Sequence, residues 1–222
     1  MAEKAKNADV RERRKQNSGA AGIIAPTHRF FDGRLKAWLV KVLPGNHYIT
    51  DDPQEIIVTV LGSCVAACIR DPKTGIGGMN HFMLPDGRGR EGVAGEAMRY
   101  GHYAMEVLIN GILSTGCPRD RLEIKVFGGG HVIAGSSSMV GGNNAQFVHD
   151  YLADEGLSPI VSDLGGNYPR RIEYSPATGK VKRLLLKRQE DKELLRDEFV
   201  FRKKMAEKKE PEDSGGDIEL FG

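Results

Sequence analysis

The 222-residue chain has no run of about 18 apolar residues, so neither a transmembrane helix nor membrane insertion is expected. Its N-terminus is charged (Lys4, Lys6, Arg11, Arg13, Arg14, Lys15), but no apolar segment follows directly, which argues against a secretory signal. Cysteine is scarce. There are 3, with no CxxC pair, a poor match to a disulfide scaffold or a zinc ribbon. The expected setting is the cytoplasm, with reduced thiols. No charge excess exists either: 32 Lys and Arg face 30 Asp and Glu, for a net charge of +2. A dedicated nucleic-acid binder normally carries a clear basic surplus. The chain also lacks a GxxxxGK[ST] loop, an HExxH metal motif and an internal repeat.

What is present is material for one core. Apolar residues make up 40% of the chain. Glycine is plentiful at 28 residues and clustered, as expected where the backbone turns tightly around a site. Composition divides the chain into an arm over residues 1–36, partly disordered, a folded part over 37–188, and a charged extension and tail over 189–222.

Periodicity predicts strands over 37–42, 55–61, 65–69, 76–84, 122–127 and 158–163, and a hairpin from 170–174 and 180–186 around Ser175–Gly179. The spacing of Ala97, Tyr100, Ala104, Val107, Leu108 and Ile112 predicts a helix over 95–115, stopped at Gly116. A second, shorter helix is predicted from Asn144, ending at Gly156, and a charged surface helix within 189–209. Within 217–222, Ile218, Leu220 and Phe221 alternate with acidic residues, which reads as a short docking segment or a plain disordered end.

Three residues stand out for chemistry. Cys64 follows a strand directly, in Leu61-Gly62-Ser63-Cys64-Val65. A Gly-Ser turn lets the chain bend sharply and turns amide N–H groups toward the thiol, favouring the thiolate and offering donors for an oxyanion at Gly62 and Ser63. The same residue also reads as a small buried packing group. His81, in Gly77-Gly78-Met79-Asn80-His81-Phe82-Met83, lies in an apolar segment where an imidazole needs a partner. It reads as a general base for the thiol or as a core histidine bonded to backbone. Thr59, in the buried run before Cys64, reads as a hydroxyl that orients the histidine or as an ordinary strand former. Gly128–Gly130, Gly141-Gly142 and Gly165-Gly166 are weaker signals for a cleft lining. Cys68 and Cys117 read as packing, His102 and His131 as non-ligands, and Arg170 and Arg171 as a solvated strand edge.

Thr59-Val60-Leu61-Gly62-Ser63-Cys64-Val65 followed by Gly77-Gly78-Met79-Asn80-His81-Phe82-Met83-Leu84-Pro85 resembles the CheD family of chemoreceptor glutamine deamidases. Phe127–Gly130, the Asn144 region, Asp163–Asn167 and Thr178–Val181 are similar to that family's later blocks. The resemblance implies an α/β (α+β) fold of layered mixed β-sheets with flanking helices, a cysteine-hydrolase fold similar to deamidating bacterial toxins. It implies Cys64 as nucleophile, His81 as base and Thr59 as orienting hydroxyl, with no metal and no cofactor. It also implies partners: the cytoplasmic helices of methyl-accepting chemotaxis receptors and a CheC-like phosphatase. An alternative from another class is a non-catalytic interaction protein that binds those partners, which would not need the Cys64/His81 pair.

Overall fold

The computed structural model describes residues 28–84, 93–132, 140–187 and 196–207. Most of the N-terminal arm and the 217–222 docking segment lie outside the described residues.

Among the described residues ten strands form two five-stranded sheets. The first holds β1 (Arg29–Asp32), β2 (Ala37–Lys41), β4 (Glu55–Leu61), β9 (Arg170–Tyr174) and β10 (Val181–Leu185), in that order. Only β2 and β4 run parallel in it. The second is ordered β3 (His47–Thr50), β6 (Gly77–Asn80), β5 (Val65–Arg70), β7 (Glu123–Gly128) and β8 (Val161–Leu164), with β7 and β8 its one parallel pair. The helices are α1 (Val93–Leu113), α2 (Val140–Asp154) and α3 (Arg196–Glu207).

The layers follow from side-chain alternation along β5. Cys64, Ala66 and Cys68 point to one core, shared with Ile57 and Leu61 of β4 and Ile172 and Tyr174 of β9. Val65, Ala67 and Ile69 point to the other, filled by Leu108 and Ile112 of α1 and Phe147 and Val148 of α2. The second sheet is therefore covered on both faces, by the first sheet and by α1 and α2. That explains why β5 reads as a continuous apolar run. The mixed-sheet α+β architecture is as the sequence implies.

Some elements differ from the sequence reading. β1 and β3 were not predicted. Each is four residues long and is specified by its pairing with β2 and β6. The predicted strand over 76–84 is shorter, ending at Asn80, with Phe82 returning in a single bridge to Val65. The cause is local. In a regular ladder Ala67 N–H would bond the Asn80 carbonyl, but it bonds Asn80 Oδ1 instead, at 2.8 Å. His81 accordingly falls just past the strand. The α2 helix starts at Val140, before Asn144, through glycines with low helix propensity. Contact explains Gly141 there: a Cβ would lie 2.3 Å from the Gly130 carbonyl oxygen.

The β5–β6 turn is tied to the rest of the sheet by charge. Arg121 places two guanidinium nitrogens on the buried Asp71 carboxylate, at 2.6 and 2.7 Å. That fork holds the Asp71 carboxyl well below the usual range against the opposing effect of burial, helped by the Lys73 N–H and the Thr74 hydroxyl. A carboxylate depressed in the fold stabilises it above its unfolded value and loses that contribution as pH falls toward the folded one. Urea midpoints should therefore drop steeply below about pH 4. Asp71→Asn should be less stable at neutral pH, with a flatter acid limb. Parallel acid limbs in the two proteins would assign the acid sensitivity elsewhere.

Candidate active site

Thr59 projects from β4 into the space between the sheets and meets His81 from the other sheet. Both are buried. Thr59 Oγ1 lies 2.8 Å from the Val42 carbonyl oxygen and 2.8 Å from His81 Nδ1. A carbonyl oxygen only accepts, so the single hydroxyl proton of Thr59 goes to Val42. The hydroxyl must then accept from His81, which places a proton on Nδ1 and leaves the neutral ring's lone pair on Nε2. The backbone of His81 is held as well. Its N–H donates to the Asn46 carbonyl at 2.9 Å, and its carbonyl accepts from Gly45 N–H at 2.7 Å.

Cys64 closes the turn between β4 and β5 and is fully buried. The neighbouring Val65 and Phe82 exchange both backbone hydrogen bonds, each at 2.9 Å. In that antiparallel register Cys64 and His81 are diagonal neighbours on one face, a relation that puts side chains within about 7–8 Å of each other. The face is the inter-sheet one, where Thr59 also sits. The structure thus gathers Thr59, Cys64 and His81 at one place.

The turn itself is tied at every carbonyl. The Gly62 carbonyl accepts from Gly130 N–H at 2.8 Å, that of Ser63 from Asn144 Nδ2 at 2.9 Å, and that of Cys64 from Gly129 N–H at 2.7 Å. A trans peptide points its N–H opposite to its C=O, so these ties aim the Ser63 and Cys64 N–H groups away from Gly130 and Asn144. The glycines are required by close approach. Gly128 has φ +117°, and a Cβ there would stand 2.1 Å from the Cys64 carbonyl oxygen. Gly166 joins the same cluster by accepting from His131 N–H at 2.8 Å. All three glycine clusters noted in the sequence meet behind the Cys64 turn.

The other candidates lie in structural settings. Burial pushes the Cys68 thiol far above its ordinary range. Cys117 is also raised, first by burial and then by the Asp71 carboxylate. His102 packs edge-on against Phe147 and Tyr151. Arg170 is not a solvated edge residue: it is buried and bonds the backbone and carboxylate of Asp163 and the Gly165 carbonyl. Arg171 is not at an edge either: β9 lies between β4 and β10, and the half-buried Arg171 pairs with Glu173. Among the described residues no group of three or more His, Cys, Asp or Glu is placed to hold a metal ion.

Sequence reasoning missed Asn144 as a positioning residue. It is completely buried, donating to the Ser63 carbonyl and accepting from Leu84 N–H at 2.7 Å. It therefore ties the Cys64 turn to the segment following His81. The available signal was an Asn inside an apolar helical face, where it must find partners. Asn144→Ala leaves a buried carbonyl and a buried N–H unpaired. The expected loss is about 2–4 kcal/mol of stability by urea unfolding. A loss under about 0.5 kcal/mol would contradict the clamp.

Known proteins similar to this chain cover most of its length. Residues 83–184 match the family described as CheD chemotactic sensory transduction. The chain is 50% identical over 194 residues to a protein of Rhodopseudomonas palustris (strain BisA53) named probable chemoreceptor glutamine deamidase CheD, covering 87% of this chain and 89% of that one. It is 49% identical over 196 residues to a protein of Dechloromonas aromatica (strain RCB) named probable chemoreceptor glutamine deamidase CheD 1, covering 88% and 94%. A third relative, from Saccharophagus degradans (strain 2-40 / ATCC 43961 / DSM 17024) and bearing the same name as the first, is 46% identical over 200 residues, covering 87% and 89%. With such identity across most of both chains, this chain belongs to the CheD family.

Proposed function

We propose that this protein hydrolyses glutamine side-chain amides of chemotaxis receptors to glutamate, with Cys64 as nucleophile, His81 as base and Thr59 as the orienting hydroxyl. The observation that carries the reading is the committed Thr59 proton. With Thr59 donating to Val42, His81 keeps Nδ1–H toward Thr59 and presents Nε2 as the basic atom.

The steps use these side chains, two backbone N–H groups and water. His81 Nε2 takes the Cys64 proton, and the sulfur attacks the carboxamide carbon to give a tetrahedral oxyanion. Ser63 and Cys64 N–H groups, aimed by the ties on Gly62 and Ser63, stabilise that oxygen. The protonated His81 passes its proton to the departing nitrogen, which leaves as ammonia and a thioester remains. Water then gives a proton to His81 and its oxygen to the acyl carbon. The C–S bond breaks, the thiol is restored, and glutamate is the product. The new carboxylates become sites for reversible methylation, so the enzyme tunes receptor signalling. Substrate choice rests on docking to receptor helices in the cytoplasm, and a CheC-like phosphatase is a second partner. Among the described residues no helix is long and apolar enough to cross a membrane.

The direct test is the mass of a receptor cytoplasmic fragment after incubation, which deamidation raises by about one dalton per site as OH replaces NH2. Wild type should produce the shift and Cys64→Ala should not. Binding without any mass change by the wild type would instead favour the interaction-protein reading. Cys64→Ala and His81→Ala should each abolish turnover, and the double variant should be little worse than either. Thr59→Val should lose between about ten- and a hundredfold, because it removes the orienting acceptor and spares the reacting atoms.

Thiol labelling separates the three cysteines. Burial disfavours the thiolate at Cys68 and Cys117, whereas Cys64, though equally buried, has His81 beside it as the proposed proton acceptor. Iodoacetamide should therefore modify Cys64 first in the native protein, as read by peptide mapping. Equal rates at all three would contradict the assignment.

A further inference from the structure

Tyr100 of α1 carries a hydroxyl that the steps above leave unused. Its oxygen is buried, and no described residue hydrogen-bonds to it. A buried phenol without a partner is uncommon in a folded protein and calls for an explanation in what else reaches the site. The hydroxyl stands close to the catalytic backbone: it is 3.4 Å from the point a Cβ would occupy on Gly45, the residue whose N–H holds the His81 carbonyl. From α3, Phe201 approaches the same point, with ring carbon Cε2 at 2.8 Å, so aromatic carbon packs alongside. The absence of a side chain at Gly45, which has φ +85°, is what admits the Phe201 ring.

Tyr100 also feels Cys64. Burial, and after it negative charge on Cys64, together push the phenol up to about 12. The group is therefore a neutral O–H donor throughout the neutral range. In a primary carboxamide only the oxygen accepts well, because the nitrogen lone pair is delocalised into the carbonyl.

Resting on the assignment of Cys64 as nucleophile, we propose that Tyr100 is a further catalytic residue, donating a hydrogen bond to the oxygen of the substrate carboxamide as Cys64 attacks. The proton stays on the phenol. The hydroxyl is paired only when substrate is present, and it strengthens its bond as charge develops on that oxygen.

Tyr100→Phe removes one oxygen and keeps the ring. Deamidation of the receptor fragment should be followed by mass, alongside the pH dependence of Cys64 alkylation by iodoacetamide. The expected result is a fall in kcat of about a hundredfold with KM changed by less than about threefold and the alkylation profile unaltered. Turnover within about twofold of wild type would overturn the proposal. So would an alkylation profile that shifts in parallel with kcat, since the hydroxyl would then serve the Cys64 sulfur and not the substrate. Cys64→Ala runs beside it: turnover in that variant would remove the nucleophile assignment itself, a failure distinct from that of Tyr100.

Discussion

The hydrogen bond between Thr59 and His81 joins the two sheets at the candidate site. Its geometry has only one proton arrangement, because Val42 takes the Thr59 hydrogen. A buried imidazole would ordinarily choose between tautomers with little preference. Here a neighbouring carbonyl makes the choice, and the consequence reaches Nε2 on the far side of the ring. Position and protonation of the proposed base thus come from one contact between layers of the fold.

That contact has value only if Cys64 is held still opposite it. The turn after β4 is fixed by three carbonyl ties, two from the Gly128–Gly130 loop and one from Asn144. Asn144 also bonds Leu84, so the segments carrying Cys64 and His81 are joined by a side chain as well as by the Val65–Phe82 bridge. The glycines let backbone meet backbone at distances that a Cβ forbids. Farther out, Glu55 supports the same two sheets through Tyr48 and Thr50 of β3 and Arg29 of β1. Burial disfavours its charge, yet the bonds from Thr50, Tyr48 and Arg29 prevail and hold the carboxyl below its ordinary value.

Much of this was legible in the residues. The β-branched run over 55–61 and the spacing along α1 mark their elements clearly. The Gly-Ser-Cys turn and the His81 segment were both singled out, and the pairing of β5 with β6 is what brings them together. What a single sequence does not display is pairing. β1 and β3 are short and exist because β2 and β6 accept them. The break at Asn80 depends on a side-chain oxygen displacing a backbone one. Asn144 and Tyr100 sit in helical patterns that reveal a face but not what that face touches. Arg170 looked like an edge residue because its partner, Asp163, lies on a different sheet.

The nitrogen resonances of the His81 ring provide the most direct measurement of the central claim. In protein labelled with 15N at histidine, Nδ1 of neutral His81 should show the pyrrole-like shift and coupling of a protonated nitrogen, and Nε2 the pyridine-like shift of a bare one. In Thr59→Val that preference should weaken toward a mixture. A wild-type ring carrying its proton on Nε2, or a pattern that Thr59→Val leaves unchanged, would contradict the account.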